Sequence, residues 1–489
     1  MKLERRHLLA LGTLAGAGVV LPNALQESAE AATGTGPASR AAHDHRAASS
    51  ITAAAPDSPF TVPMPIPPVL NPVSSKGGTD YYELPIRTVA VGVLPGRKTS
   101  VLSYGNDFFG PTIRARSGRP AVVTFRNGLT EHANVHLHGA HVEAADDGHP
   151  MDVIEPGAAR SYRYPNQQRG ATLWYHDHVH HLEAEHVYRG LRGFYLIDDP
   201  AERQLNLPHG QYDVPIMLTE AKFAEDGTLV FDPANPFDRP TLLANGRPQP
   251  YLRVRAGKYR FRILNGSTHR VFTLSLDGAQ MQQIASDGGL LPAPVPVTTL
   301  KVSPAERAEV VVDFSAHPVG TQLVLSDTTG PVLRFDVVRT GTDKSFLPPQ
   351  LRPLPPVGDA TVERDFELGI TPPGEPVAFR INGRTFDHDR VDIQIKRGTT
   401  EIWRITNLDT ALGIPHNFHL HLAQFRVLDR DGRPPAAGEA GVKDTVLIEP
   451  GSTVRIQATF RDYVGRYLFH CHFLEHSGLG MMAQMEIVP

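Results

Sequence analysis

Cysteine is almost absent from this chain of 489 residues, which contains only Cys471. A single thiol cannot form an internal disulfide, so the fold must depend on its hydrophobic cores. An excess of one charge is also missing, since 48 Lys and Arg residues balance 52 Asp and Glu residues without a long run of either sign. This balance argues against nucleic acid or a membrane surface as a partner.

A membrane-spanning segment is not apparent, because the apolar run at residues 8–21 is short and rich in Gly and Ala. This run follows Arg5 and Arg6 and precedes the sequence Ala29-Glu30-Ala31, which is the order of a cleavable export signal. The arginine pair favours the twin-arginine route. We therefore expect residues 1–31 to be the signal of a bacterial protein exported to the periplasm or the cell exterior, without integral membrane association; an uncleaved anchor is the alternative.

Sustained helical periodicity is scarce as well. Short alternating segments separated by Gly, Pro, Asn and Asp turns predict a β protein. A strand–glycine–strand pattern occurs three times, in TIRARSGRPAVVTFRN, LRVRAGKYRFRILN and IQIKRGTTEIWRITN. The glycines of the three copies, Gly118, Gly257 and Gly398, are 139 and 141 residues apart. This spacing predicts three copies of one β-sandwich unit.

The boundaries of the units follow from composition. Residues 32–78 are rich in Ala, Ser, Thr, Pro and Gly, and we expect a flexible leader that continues as an extended arm. The three units are expected at residues 79–200, 201–346 and 360–489. The proline-rich segment 347–359 is expected to link the second unit to the third.

The 23 histidines are concentrated in the first and third units. These units contain four clusters with a His-x-His step, in HLHG, WYHDH, PHNFHLH and HCHFLEH, whereas the middle unit has only isolated histidines. Residues two apart on a strand share a face, so each step directs two imidazoles at one point. The sequence therefore predicts a cluster of several metal ions between the outer units. Its eight imidazoles are those of His136, His138, His176, His178, His419, His421, His470 and His472.

Cys471 lies between His470 and His472, so on a strand its side chain must point to the opposite face. The partners left for it are His416, His476 and Met481. Two imidazoles, a thiolate and a long axial thioether are the ligands of a blue-copper electron-transfer site. Zinc is the usual rival for such ligands, but it would leave the neighbouring imidazole cluster without a purpose.

These motifs, with YPNQQRGATLWYHDH, PYLRVRAGKYRFRILN, SDGGLLP and KDTVLIEPGSTVRIQATF, resemble the multicopper oxidases, in particular the three-domain bacterial spore-coat-type laccases and bilirubin oxidases. The resemblance covers nearly the whole mature chain. It implies an all-β fold of three cupredoxin-like Greek-key β-sandwich domains. It also implies four copper ions: one of type 1, one of type 2 and a type 3 pair.

The resemblance assigns ligands to each copper. It implies that the type 1 copper is bound by His416, Cys471, His476 and Met481, and the type 2 copper by His136 and His419. The type 3 pair would be bound by His138, His176, His178, His421, His470 and His472.

Two further positions concern the catalytic chemistry. Asp147, in the sequence ADDG after HLHG, matches a position where the family has an acid that supplies protons; a turn aspartate is the plainer alternative. Cys471 would carry electrons from the type 1 copper toward the cluster. Ser477 stands where the subfamily often has a second acid, a departure that affects the expected proton supply.

The resemblance implies a monomeric laccase-like enzyme that oxidises phenols or aromatic amines and reduces dioxygen to water, with bilirubin and aminophenols as substrate variants. A metallo-oxidase of Cu(I) or Mn(II) is the alternative. It is less favoured because the 8 methionines are scattered, apart from Met481, Met482 and Met485. A cupredoxin-fold protein without catalysis is disfavoured because every ligand position is filled.

Overall fold

The computed structural model describes residues 58–341, 343–372 and 374–489, so the expected export signal lies outside the described residues. The described chain is almost entirely β, with six sheets that form three sandwiches. The described ranges include two short α-helices, α1 (Glu183–Arg189) and α2 (Leu474–Gly478). In the described ranges, no helix has the length and apolar character needed to cross a membrane.

The first sandwich combines a sheet of strand order β1-β2-β5-β7, with β3 beside β2, and a sheet of order β4-β9-β8-β6. Tyr82, Phe125 and Tyr162 are among the residues of its core. The strands are β1 (Ser74–Lys76), β2 (Thr79–Val91), β3 (Thr99–Ser103), β4 (Ile113–Arg116), β5 (Ala121–Asn127), β6 (His136–His138), β7 (Ala159–Tyr164), β8 (Ala171–His176) and β9 (Arg192–Asp198).

The second sandwich has sheets of order β12-β11-β10-β14-β19-β16-β17 and β13-β21-β20-β15-β18. The strands are β10 (Asp213–Ala221), β11 (Thr241–Ala244), β12 (Arg247–Pro248), β13 (Tyr251–Ala256), β14 (Lys258–Asn265), β15 (Phe272–Leu276), β16 (Met281–Ser286), β17 (Gly289–Val297), β18 (Thr299–Val302), β19 (Arg307–Asp313), β20 (Gln322–Asp327) and β21 (Gly330–Thr340).

The third sandwich has sheets of order β23-β22-β25-β29-β27 and β24-β31-β30-β26-β28. The strands are β22 (Val362–Ile370), β23 (Phe379–Ile381), β24 (Ile393–Lys396), β25 (Thr400–Asn407), β26 (His416–Leu420), β27 (Phe425–Arg430), β28 (Thr445–Ile448), β29 (Thr453–Thr459), β30 (Gly465–His470) and β31 (Met482–Val488). Short 3-10 helices occupy Ala144–Asp146, Pro200–Leu205, Gly210–Tyr212, Phe314–Ala316, Thr410–Leu412 and Ala437–Glu439.

At each strand–glycine–strand pattern the chain passes from one sheet of the sandwich to the other. In every unit the first strand pairs in one sheet and the second strand in the other, as β4 and β5 do. Each unit then repeats the same two parallel pairings: β2 with β5 and β4 with β9 in the first unit correspond to β22 with β25 and β24 with β31 in the third. Gly118 and Gly398 have φ of 75° and 88°, which glycine adopts without steric cost.

The asparagine that ends each repeat ties together a buried loop. The Asn265 Nδ2 donates to the carbonyl oxygens of Arg270 and Val302 at 2.7 and 2.9 Å, and its Oδ1 accepts from the Ser267 amide at 3.0 Å. Asn127 and Asn407 make the equivalent three bonds in their own units. The asparagine therefore has a structural role in all three repeats, because the buried carbonyl oxygens would otherwise lack a hydrogen-bond donor.

The arm that precedes the first sandwich packs against the second unit. The Met64 amide donates to the carbonyl oxygen of Tyr251 at 2.8 Å, and the Met64 side chain is buried in the core of the second unit. Further along, the Leu70 amide donates to the Thr112 carbonyl oxygen at 2.8 Å. The arm thus crosses the second unit before it joins the first.

We expect Asn265→Ala to destabilise the protein by about 3 kcal/mol, because three buried hydrogen bonds are lost and their partners remain buried. Unfolding in denaturant measures the change. Asn106→Ala is the matched control, because Asn106 is exposed and its side chain accepts a hydrogen bond from the Arg87 side chain at the surface. Equal stability of the two variants would contradict the structural role of the repeated asparagine.

Candidate metal centre

The four histidine motifs lie at strand ends where the first and third sandwiches meet. In the first unit, β6 pairs with β8 so that His136 lies opposite His176. In the third unit, β26 pairs with β30 so that His419 lies opposite His470. Neighbouring strands are about 4.8 Å apart, so each pairing brings two motifs together.

Only the first motif has both histidines within a strand. The other three motifs place their second histidine beyond the strand end, because β8 ends at His176, β26 at Leu420 and β30 at His470. The expectation that both histidines of every motif lie on one strand and share a face is therefore wrong in detail. The imidazoles still converge, because all these strand ends meet at the same interface.

One group of converging nitrogens comes from His178, His421 and His470. The Nε2 of His470 lies 3.2 Å from the Nε2 of His178 and 3.3 Å from the Nε2 of His421. The Nδ1 of His470 faces the carbonyl oxygen of Cys471 at 3.0 Å, and the Nδ1 of His421 faces the Asp147 carboxylate at 2.7 Å. In these two rings the proton therefore belongs on Nδ1, and the Nε2 lone pairs point at a common centre.

A second set of neighbouring rings is His138, His176 and His472, with the His472 centroid 5.0 and 5.1 Å from those of the other two. The Nε2 atoms of His176 and His472 are 3.4 Å apart. His138 presents its other nitrogen, because its Nε2 contacts the Asp444 carboxylate at 3.0 Å and the Thr445 hydroxyl at 3.1 Å. The His138 Nδ1 is buried and has no protein partner among the described residues.

The third group is the pair His136 and His419. Their rings direct Nδ1 at the carbonyl oxygens of Asp147 and Asp444, at 2.6 and 2.8 Å. Their Nε2 atoms are buried without a hydrogen-bond partner in the described chain. Buried polar atoms normally have partners, so these lone pairs fit a metal ion that accepts them as ligands.

Burial keeps the imidazoles neutral. All eight rings are at most 1% exposed. Burial, with the neighbouring imidazoles, holds the pKa of every ring except His178 well below the usual range of histidine. Burial also acts on His178, but the carboxylate of Glu183, 3.5 Å from its Nδ1, raises the pKa overall. Neutral imidazole is the form that binds metal ions.

Cys471 faces away from this cluster, as its position between two histidines predicts. Its Sγ is 3.6 Å from the Nδ1 of His476 and 3.9 Å from the Nδ1 of His416, and these two nitrogens are 3.1 Å apart. Burial raises the pKa of the Cys471 thiol to about 12. The thiolate therefore requires a bound cation, which would displace the proton.

Met481 is fully buried beside this site. Its amide donates to the carbonyl oxygen of His476 and its carbonyl oxygen accepts from the Cys471 amide, both at 3.0 Å. These bonds hold the methionine backbone against the two residues that are expected to share a copper with it. The neighbouring Met482 is buried as well and lies opposite His470 in the sheet.

Comparison with known proteins agrees with this architecture. Family models described as multicopper oxidase match residues 86–202, 211–332 and 358–489. A laccase of Bacillus subtilis (strain 168) is 36% identical over 88% of this chain and 98% of its own length. The chain belongs to the multicopper oxidase family.

Two other relatives place the oxidase within that family. A bilirubin oxidase of Albifimbria verrucaria is 36% identical over 87% of this chain and 80% of its own length. The crystal structure of a multicopper oxidase from Pediococcus acidilactici has a TM-score of 0.82 at 31% identity, covering 91% of this chain and 94% of that chain. The protein is thus a copper-dependent oxidoreductase that uses oxygen, and the expected all-β fold of cupredoxin-like domains is confirmed.

Asp147 lies where an acid of the oxidase would contact the cluster. Its side chain is 2% exposed, and it contacts His421 through a carboxylate oxygen and His136 through its carbonyl oxygen. Burial raises the pKa of the Asp147 carboxyl group above its ordinary value. The hydroxyl of Ser477 is buried, and no hydrogen-bond partner for it is present in the described ranges.

Several residues that orient the histidines were not predicted. Asp409 accepts from the His416 Nε2 at 2.7 Å, Asp444 contacts His138, and Glu183 faces His178. Asp409 and Glu183 lie in no segment singled out above, whereas Asp444 lies in KDTVLIEP, which carried the resemblance but no metal role. For Asp409 the available signal was its position, seven residues before His416.

We expect the melting temperature of the metal-free oxidase to fall as the pH is lowered from about 7 to about 5. In the unfolded chain the histidines bind protons near pH 6.5, whereas the buried rings do so only at much lower pH. The unfolded state therefore takes up more protons in this range, and folding loses stability.

Calorimetry of the metal-free protein at several pH values measures this dependence. His178 and His186, whose pKa values are raised, act in the opposite direction but are fewer than the rings whose pKa values are lowered. A melting temperature that is constant or higher at the lower pH would contradict the neutral, buried state of the cluster.

Proposed function

We propose that this multicopper oxidase is laccase-like: it takes single electrons from phenols or aromatic amines at a type 1 copper and reduces dioxygen to two waters at a trinuclear copper cluster. The observation that carries the proposal is the arrangement of Cys471. Its sulfur faces His416 and His476, while the adjacent His470 and His472 belong to the eight-imidazole cluster.

The donor groups fit four copper ions. His416, Cys471, His476 and Met481 would bind the type 1 copper, with the Met481 thioether as the weak axial ligand. The pair His136 and His419 suits a type 2 copper, and the two groups of three imidazoles suit a type 3 pair. When bound, copper would supply the one-electron and four-electron redox chemistry.

The chain itself provides a short path between the two sites. Cys471 is covalently joined to His470 and His472, one on each side. In addition, the His470 Nδ1–H donates to the Cys471 carbonyl oxygen at 3.0 Å, which adds a hydrogen-bonded connection to the covalent one. The residues of this path are fully buried, so their geometry is fixed by packing.

The surroundings of the type 1 site support an aromatic reductant. The His476 ring lies between those of Phe379 and Phe473, with centroids 4.0 and 5.2 Å away. Leu408 and Leu479, which are 54% and 36% exposed, adjoin this region, because Leu408 precedes Asp409 and the Leu479 carbonyl oxygen accepts from the Phe379 amide. An apolar surface next to the electron-accepting histidines favours an aromatic donor.

Proton supply would depend on Asp147. Its buried carboxylate contacts the Nδ1 of His421, so it is placed to hold a proton next to the cluster. Burial raises the pKa of this carboxyl group, which is the direction that brings an acid toward the pH at which it donates protons. Ser477 cannot take the role that an acid would have there, because a hydroxyl group does not ionise near neutral pH.

Export and the monomeric state remain predictions from the sequence. The twin-arginine-type signal would occupy residues 1–31, which lie outside the described residues. This route transports folded proteins, which would allow copper to be bound before export.

Oxygen uptake by the copper-loaded protein tests the proposal, with a dimethoxyphenol, bilirubin and Cu(I) as alternative donors and an assay for peroxide. We expect uptake with the phenol and no peroxide, because dioxygen would receive all four electrons before the product water is released. Cys471→Ser should abolish the blue absorption and the uptake while three coppers remain bound. Uptake with Cu(I) alone would identify a metallo-oxidase, and a blue Cys471→Ser variant would disprove the type 1 assignment.

We expect Asp147→Asn to lower turnover by about 100-fold, because a positioned proton donor contributes a factor of this order. Anaerobic reduction of the type 1 copper by the phenol should keep its rate, since the substitution is at the other site. Stopped-flow absorption separates the two steps.

Asp146→Asn is the matched control, because the neighbouring carboxylate accepts instead from the Arg163 amide. Equal turnover of the two variants would show that Asp147 is a structural turn residue.

A further inference from the structure

A buried ion pair joins the second unit to the helix that carries His476. Glu475 lies on α2 directly before His476, and one of its carboxylate oxygens accepts from the Arg239 guanidinium at 2.6 Å. Arg239 belongs to the segment between β10 and β11 of the second unit. The side chains of Arg239 and Glu475 are 2% and 3% exposed, so the pair is shielded from solvent.

Further contacts fix the pair. The Thr268 hydroxyl accepts from Arg239 at 2.6 Å and donates to the same Glu475 oxygen at 2.8 Å. The Thr268 carbonyl oxygen accepts from the Leu474 amide at 2.9 Å, so the second unit also holds the backbone at the start of α2. The guanidinium lies over the Tyr188 ring of the first unit, 4.5 Å from its centroid. All three units therefore meet at Arg239.

The second unit also reaches the metal ligand more directly. The His269 ring, next to Thr268 in sequence, stands edge-on to the His476 ring with centroids 5.2 Å apart. Its Nδ1 is 3.5 Å from the other oxygen of Glu475. Glu475 thus lies between two residues of the second unit, with His476 as its neighbour in the chain.

Two buried arginines and two buried carboxylates share this junction. Arg239 contacts a second carboxylate, that of Glu220, at 3.3 Å. The buried Arg192 guanidinium also interacts electrostatically with Glu220, so Glu220 has a second counter-charge. Glu475 is the negative charge adjacent to His476 in the chain. In a buried environment such a charge is weakly screened and favours the more positive oxidation state of a nearby copper.

We propose that the second unit, which lacks candidate copper ligands in its described residues, positions His476 and sets the reduction potential of the type 1 site through Arg239 and Glu475. This inference rests on the proposed function, since it assumes a type 1 copper bound by His476. Arg239 and Glu475 are positioning residues, because they act on the copper through His476 and through their charge.

The charge count gives opposite expectations for the two partners. Glu475→Gln removes a negative charge, so the type 1 potential should rise. Arg239→Gln removes a positive charge that faces Glu475 and Glu220, so the potential should fall. The double variant Arg239→Gln with Glu475→Gln leaves the net charge of the junction unchanged and should bring the potential back toward that of the unchanged protein. Loss of structure alone would not produce shifts of opposite sign that cancel.

Redox titration of the blue absorption band in the copper-loaded full chain measures these potentials. Arg334→Gln and Asp336→Asn are the matched controls, because they break an ion pair of 2.7 Å in the same unit that does not contact α2. Both controls should leave the potential unchanged. Arg239→Lys keeps the charge and should keep the potential, even if the protein becomes less stable.

Removing one partner of a buried pair is destabilising, so a milder variant accompanies the test. Glu220→Gln removes the carboxylate that is not adjacent to His476, and it should raise the potential by less than Glu475→Gln does. Unchanged potentials, or shifts of the same sign in Arg239→Gln and Glu475→Gln, would overturn the inference. Absence of the blue band in the unchanged protein would instead disprove the proposed function, which keeps the two failures distinct.

Discussion

The metal centre depends on burying eight imidazoles while most of the rings keep a hydrogen-bond acceptor for their N–H. Each ring that directs a lone pair at the cluster needs an acceptor behind it, and in most cases this is a backbone carbonyl or a carboxylate held by the fold. The carbonyl oxygens of Asp147, Asp177, Asp444 and Cys471 serve His136, His176, His419 and His470 in this way. The acceptors fix which nitrogen is free, so the backbone determines the geometry that a metal ion meets.

This requirement explains why the centre lies between two units. One sandwich supplies only two of the four histidine motifs, and its strand ends would otherwise be open to solvent. Joining the two sets buries charged residues at the interface, which is costly unless each charge is fully paired. The Arg307 guanidinium is paired in this way, because it donates to the Thr172 carbonyl oxygen of the first unit and to the Asp444 carboxylate of the third at 2.8 and 2.6 Å.

The sequence predicted the elements whose signal is local. The three glycine repeats gave the number of units, and the His-x-His steps with Cys471 gave the residues that the structure brings together as two groups of donors. Asp147 was predicted near the cluster, but the roles of Asp444 and of the Arg239–Glu475 pair were missed, because they come from distant pairing: Asp444 is 306 residues from His138, and Arg239 is 236 residues from Glu475. The sheet change at each repeated glycine was also missed, since alternation alone does not identify the sheet that a strand joins.

The second unit, whose described residues include no candidate copper ligand, contacts residues next to both donor groups. From this unit Arg307 holds Asp444, which contacts His138, and Arg239 holds Glu475, which precedes His476. Each arginine thus contacts an acidic residue that adjoins a histidine of a different donor group. A two-unit protein with the same twelve donors would lack both guanidinium groups, and the buried carboxylates of Asp444 and Glu475 would lose their main counter-charges. An unpaired buried carboxyl group favours its protonated form. In that form Asp444 and Glu475 would no longer hold His138 and His476 in place.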